Sequence, residues 1–217
     1  MTDVIRPQWI VFDLGNVVVK LGSSLLPLVR EQLGREVPQQ FIDACRDHFI
    51  TEHTNLSLKE QFQLGAQEPE EVYRKLSKLL DDQLSPERLR ELDLQQIQGE
   101  FPQSLQLLEQ LQRSHFRIAC LSNTHAVHWE HMKRTYKSFR YFEKKLASHL
   151  YGVAKPNPEI YKKMFADLAC EPKHILFIDD RELNIIGAQA LGMQTIHLTD
   201  PATIEQQVRQ YVDLGKE

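Results

Sequence analysis

Apolar positions along this chain fall into two patterns. Ile10-Val11-Phe12, Ile118-Ala119-Cys120-Leu121 and Ile175-Leu176-Phe177-Ile178 are short continuous runs, and Gln194-Thr195-Ile196-His197-Leu198 is a weaker fourth. Runs of this length without clean alternation predict strands covered on both faces, as in a parallel sheet. Between them the spacing becomes helical. Leu105, Leu108 and Leu111 share a face ahead of the Ile118 run; Ile160, Tyr161, Met164, Phe165 and Leu168 do so ahead of the Ile175 run. Asn157-Pro158 and Asp200-Pro201 each set a capping side chain before a proline at the first helical position. Strand, helix, strand order predicts right-handed crossovers and a doubly wound, Rossmann-like α/β sheet.

Residues 22–98 contain no strand-like run. Phe41, Ile42, Cys45 and Phe49 fit one helix, and Ser57-Leu58-Lys59-Glu60 fits a capping box opening a second. Val72, Leu76, Leu79 and Leu80 fit a third; Ser85-Pro86 opens a fourth that carries Leu89 and Leu92. The expected organisation is an α/β core of residues 1–20 and 99–217 with an all-helical insert at 21–98.

Composition narrows the partners. The 217 residues are 41% hydrophobic and 26% charged, enough apolar material for a packed core rather than disorder. A net charge of -4 without a long basic run argues against nucleic acid or an anionic membrane as main partner. Any anionic ligand must then be held by a local site. Cys45, Cys120 and Cys170 are odd in number, scattered and without CxxC, as expected of reduced thiols in a cytoplasmic protein. No segment reaches transmembrane length, and the N-terminus does not read as a signal peptide. Oligomeric state leaves no mark on the sequence.

Chemistry gathers at the expected strand ends, where open α/β sheets bind ligands. Asp13 ends the first run, Ser122-Asn123-Thr124 the second, and Asp179-Asp180 the third, while Lys155 precedes Pro156-Asn157-Pro158. Adjacent carboxylates repel unless a cation lies near, and an oxygen-rich set suits Mg²⁺. With a metal offsetting charge, Asp13 can attack the phosphorus of a phosphate ester and form an aspartyl-phosphate. Ser122, nearby backbone N–H groups and Lys155 would hold the phosphoryl oxygens. Each residue also has a plainer structural use, as cap, turn or surface charge; the convergence of all of them carries the reading.

These motifs, FDLGN at 12–16, LSNT at 121–124, GVAKPNPEIY at 152–161 and FIDDRELNIIGAQALGM at 177–193, resemble the haloacid dehalogenase superfamily in order and spacing. The insert is similar to its helical caps (C1, subfamily I), and the wording is nearest the bacterial glucose-1-phosphate phosphatase-like group. The resemblance implies Asp13 as nucleophile and metal ligand, and the Gly15 backbone carbonyl, Asp179 and Asp180 as further ligands. It implies Ser122, Asn123, Lys155 and Asn16 toward substrate, with Asn184 in support. The expected function is a Mg²⁺-dependent phosphomonoesterase acting on a small metabolite such as a sugar phosphate, with the insert as a lid. Gly15 departs from the family, whose phosphatases mostly carry a second aspartate there to protonate the leaving group. The alternatives are a 2-haloacid dehalogenase, which needs no such acid, and a catalytically weak phosphate-binding regulator. His48, His53, His125 and His128 are candidate replacement acids, with His125 best placed; Glu52 and His53 are candidate specificity residues.

Overall fold

The computed structural model describes residues 5–46 and 56–215. Strand β1 (Trp9–Phe12) is followed by a tight turn, in which the Val18 and Val19 amides both donate to the Leu14 carbonyl. Strand β2 (Val19–Leu21) leads to helices α1 (Leu25–Leu33), α2 (Gln39–Ala44), α3 (Leu58–Gln63), α4 (Pro69–Lys78) and α5 (Pro86–Leu94). Strand β3 (Ile97–Glu100) then returns antiparallel to β2. The rest alternates: α6 (Pro102–Arg113), β4 (Arg117–Ser122), α7 (Ala126–Thr135), β5 (Lys144–Ala147), α8 (Ser148–Tyr151) and α9 (Pro158–Leu168). It closes with β6 (Ile175–Asp179), α10 (Glu182–Ala190), β7 (Gln194–His197) and α11 (Ile204–Val208). Among the described residues the main sheet runs β5-β4-β1-β6-β7, and every neighbouring pair is parallel.

The continuous apolar runs have a simple cause. Ile10, Phe12, Ile118, Cys120, Leu176 and Ile178 pack on one face of the sheet against Leu107, Leu111 and Val208. Trp9, Val11, Ala119, Leu121, Ile175 and Phe177 pack on the other against Ile160, Met164 and Ala188. Both sets of alternate positions are buried, so no polar face is left to mark a period of two.

The inserted helices have their own apolar cluster, including Val29, Phe41, Phe62, Tyr73, Leu76 and Leu89, and Val127 of α7 joins it. Ser57 and Glu60 make the reciprocal capping box, and Asn157 caps α9. Four features differ from the sequence expectation. Strand β3 begins at Ile97, inside the stretch read as strandless, so the boundaries at 20/21 and 98/99 fall within the β2–β3 ribbon. Helix α1 was unexpected; its Pro27 stands in the first turn, where a missing N–H breaks no helical bond. Edge strand β5 was also unexpected, since its Lys144 and Lys145 are exposed. Pro201–Thr203 after Asp200 is a turn of 3₁₀ helix before α11. His48, Phe49, Glu52 and His53 lie outside the described residues.

Candidate active site

Register brings the motifs together. Phe12 of β1 pairs with Cys120 of β4 and Ile178 of β6, so Asp13, Leu121 and Asp179 stand level at the carboxyl rim, with Ser122 one residue beyond. Lys155 reaches this point from the loop between α8 and α9. Its Nζ donates to Asp13 Oδ1 at 2.8 Å, Asp179 Oδ2 at 2.7 Å and the Leu121 carbonyl at 2.8 Å. Only 1% of Lys155 is exposed, so it is no solvated surface lysine. Three acceptors take the three protons an ammonium offers.

The acidic residues are held from behind. Asn184 donates to both oxygens of Asp179, at 2.9 and 3.0 Å, and the Arg181 amide donates at 2.9 Å. Asn16 donates to Asp180 Oδ2 at 3.1 Å. Its φ of 54° is left-handed, a conformation asparagine tolerates better than most residues. The Asn16 amide is thus turned to an acid expected to bind metal. Asn123 is similarly engaged: it donates to the Lys155 carbonyl and accepts from the Lys155 amide, both at 2.8 Å. Its side chain thereby positions Lys155. Ser122 is buried at the end of β4 and lines the same cavity as Asp13, Lys155 and Asp180.

Carboxylate oxygens of Asp13, Asp179 and Asp180 lie within 4.8 Å of one another. Three carboxylates face one ammonium, so negative charge is left over. Burial pushes the Asp13 carboxyl up to about 7 against the pull of Lys155, and Asp179 and Asp180 push the same way. Burial also raises Asp180, against its bond from Asn16 and together with repulsion from Asp179. Burial opposes the charge on Lys155, yet Asp13 and Asp179 hold it above the ordinary lysine range. Such an oxygen-only, under-compensated cluster suits a small divalent cation of the Mg²⁺ kind.

Gly15 lines the cavity beside Asp13. A Cβ there would lie 2.8 Å from Leu21 Cδ1 and 3.8 Å from Asp13 Oδ2, so an apolar side chain covers the place of the missing acid. Burial, with His128, His149 and Lys59 nearby, holds the His125 imidazole well below the usual histidine range, which favours the neutral ring.

The cavity has a volume of about 240 Å³ and runs from the rim to the inserted helices, where Leu25, Phe62, Val72 and Leu76 line it. Asp93, Tyr73, His128 and Gln96 line it too. Asp93 went unnoticed in the sequence. Its position four residues after buried Leu89 marks it as a carboxylate on the apolar face of a helix.

An open parallel sheet carrying a lysine-bridged acidic cluster at its carboxyl rim defines the class. Residues 7–192 match the family model of the haloacid dehalogenase-like hydrolases, and the chain belongs to that family. A sesquiterpene phosphatase, astK, of Aspergillus oryzae is 26% identical over 163 residues, covering 70% of this chain and 78% of that protein. A haloacid dehalogenase family enzyme of Bacteroides thetaiotaomicron, solved in complex with magnesium and inorganic phosphate, superimposes with a TM-score of 0.72 at 25% identity. That match covers 88% of this chain and 93% of the other. The L-2-haloacid dehalogenase PA0810 shares the fold, with a TM-score of 0.60 at 19% identity over 87% of this chain and 82% of its own. Among the described residues no helix is long and apolar enough to cross a membrane.

Proposed function

We propose that the protein is a Mg²⁺-dependent phosphomonoesterase that uses Asp13 as nucleophile. The observation that carries this reading is the convergence of Asp13, Asp179 and Asp180 around buried Lys155 at one end of a cavity that the inserted helices line. A dehalogenase has no use for the extra acids, whereas a phosphate dianion cannot approach three carboxylates without a cation. Asp13, Asp179, Asp180 and the Gly15 carbonyl would hold the metal, whose charge would draw the phosphate in and neutralise its oxygens.

An ionised Asp13 oxygen forms a bond to phosphorus while the bond from phosphorus to the leaving oxygen breaks, its electron pair departing with that oxygen. Lys155 and Ser122 steady the phosphoryl oxygens through the transfer. Water then attacks the same phosphorus, the bond to Asp13 breaks, and inorganic phosphate leaves. With glycine at position 15 the acid usual there does not meet the departing oxygen, so rates should fall steeply as the leaving alcohol becomes less acidic.

The inserted helices serve as the cap that encloses the leaving group. Leu25, Phe62, Val72 and Leu76 support a small metabolite with an apolar face, in keeping with the likeness to a sesquiterpene phosphatase; sugar phosphates are the comparison class. The test is turnover of p-nitrophenyl phosphate, followed by isoprenyl and sugar monophosphates, with Asp13→Asn as the blank. Mg²⁺-dependent turnover, abolished by EDTA and by Asp13→Asn, is expected. Binding of phosphate with no turnover of any ester would instead identify a regulator.

The site also sets a pH dependence. Asp13 has a higher pKa folded than unfolded, so between about pH 4 and about pH 7 the folded chain keeps a proton that the unfolded chain has lost. Its contribution to metal-free stability therefore falls as pH rises through that window. Mg²⁺ needs the ionised carboxylate, so the rise in Tm it causes should be larger at about pH 8 than at about pH 5.5. Calorimetric scans with and without the ion check this; equal shifts would mean that Asp13 is not a ligand.

A further inference from the structure

Across the cavity from Lys155 lies a second cluster with different donors. Asp93, near the end of α5, meets His125 at the N-cap of α7 and His128 in its first turn. Asp93 Oδ2 lies 3.4 Å from Nε2 of each imidazole, and ligand atoms of the three residues fall within 4.8 Å of one another. The carboxylate is fixed independently: Tyr73 donates to Oδ2 at 2.6 Å and Gln96 to Oδ1 at 2.5 Å. The His125 ring stacks on Phe62 at 4.1 Å and faces the His128 ring at 4.0 Å. His125 is 5% exposed, and its Nδ1 is buried without a hydrogen-bond partner among the described residues.

These contacts are poor as ion pairs. A charged N–H···O bond closes to about 2.7–2.9 Å. Two imidazolium rings would also repel at this spacing, and burial keeps His125 neutral. Neutral imidazole is the form that binds metal. With metal–ligand bonds of about 2.0–2.2 Å, donors on one tetrahedral ion stand about 3.3–3.6 Å apart, which matches the 3.4 Å between Asp93 Oδ2 and each Nε2.

We propose that Asp93, His125 and His128 form a second metal site, for a Zn²⁺-class ion, that ties the inserted helices to α7. Two imidazoles and one carboxylate suit zinc, cobalt or nickel, whereas the all-oxygen set around Asp13 suits Mg²⁺. Tyr73 and Gln96 hold the ligating carboxylate in place. His128 Nε2 lies 3.0 Å from the Asp93 carbonyl and exchanges that contact for the ion. Three protein ligands leave a fourth position for water or a substrate oxygen. The site stands independently of the phosphatase reading.

The full chain, stripped of metal and held in excess Mg²⁺, is titrated with Co²⁺ while visible d–d absorption is recorded. One Co²⁺ per chain with the strong band of a low-coordinate ion is expected, displaced by Zn²⁺. Binding should weaken at least about 10–100-fold in His128→Gln and in Asp93→Asn, and persist in Asp180→Asn. Zn²⁺ should raise the Tm of the wild type but not of His128→Gln; that side chain is partly exposed, so its replacement leaves the fold intact. No visible band in the wild type overturns the proposal. So does a band that survives His128→Gln, one lost in Asp180→Asn, or a cobalt–thiolate band assigning the ion to nearby Cys45.

Discussion

Replacing Lys155 with methionine should cost the protein both stability and activity. The substitution keeps the length of the stem and removes the charge that Asp13 and Asp179 share at 2.8 and 2.7 Å. Breaking a buried ion pair from one side typically costs about 3–5 kcal/mol, because the remaining charge stays in low dielectric. In a chain of this size that lowers Tm by roughly 10 °C. Lys155 is also the influence that holds the Asp13 pKa down against burial. Without it Asp13 takes a proton near neutral pH and cannot attack, so turnover should fall at least about 10²–10³-fold. Thermal melts and p-nitrophenyl phosphate kinetics of Lys155→Met, Asp179→Asn and the double variant check this. The double variant should be less destabilised than the sum of the singles. Additive losses would mean that the lysine and the acids are not one unit.

Gly15→Asp should do the opposite for difficult substrates. A carboxyl at this position would sit beside Asp13, where the leaving oxygen departs. General acid catalysis is worth about 10²–10⁴ in rate, and the gain grows as the leaving group becomes more basic. An alkyl phosphate such as glycerol 2-phosphate should therefore gain about 10²-fold or more, while p-nitrophenyl phosphate, whose phenolate leaves unaided, should gain little. The obstacle is steric: a Cβ would meet Leu21 Cδ1 at 2.8 Å. That atom is the far end of a side chain that is 41% exposed, so it can swing aside. Leu21→Ala combined with Gly15→Asp removes the obstacle outright. Equal gains on both substrates would show that the new carboxyl does not act on the leaving group.

The rim of the sheet was legible from residue order because its strands are buried on both faces and end in polar residues. Once β1, β4 and β6 pair in register, Asp13, Ser122 and Asp179 have nowhere else to go. Capping residues placed helix starts such as α3 and α9 correctly, since a cap is a local bond. What escaped depends on distant partners. Strand β5 hides behind two exposed lysines on an edge, and β2 with β3 pairs residues about eighty apart in sequence. The bonds of Asn123 to Lys155 and of Asn16 to Asp180 were not legible either, because an asparagine at a rim gives no sign of which neighbour claims its amide. The Asp93–His125–His128 cluster forms only when the inserted helices settle on α7, and no spacing in the chain announces that.

Phosphorylation of Asp13 is the central step of the proposed reaction. Enzyme quenched in acid during turnover of p-nitrophenyl phosphate, reduced with borohydride and digested, should yield a peptide in which residue 13 has become homoserine, the product of a reduced acyl phosphate. Aspartate unchanged at that position in every quenched sample, while phosphate continues to be released, would contradict it.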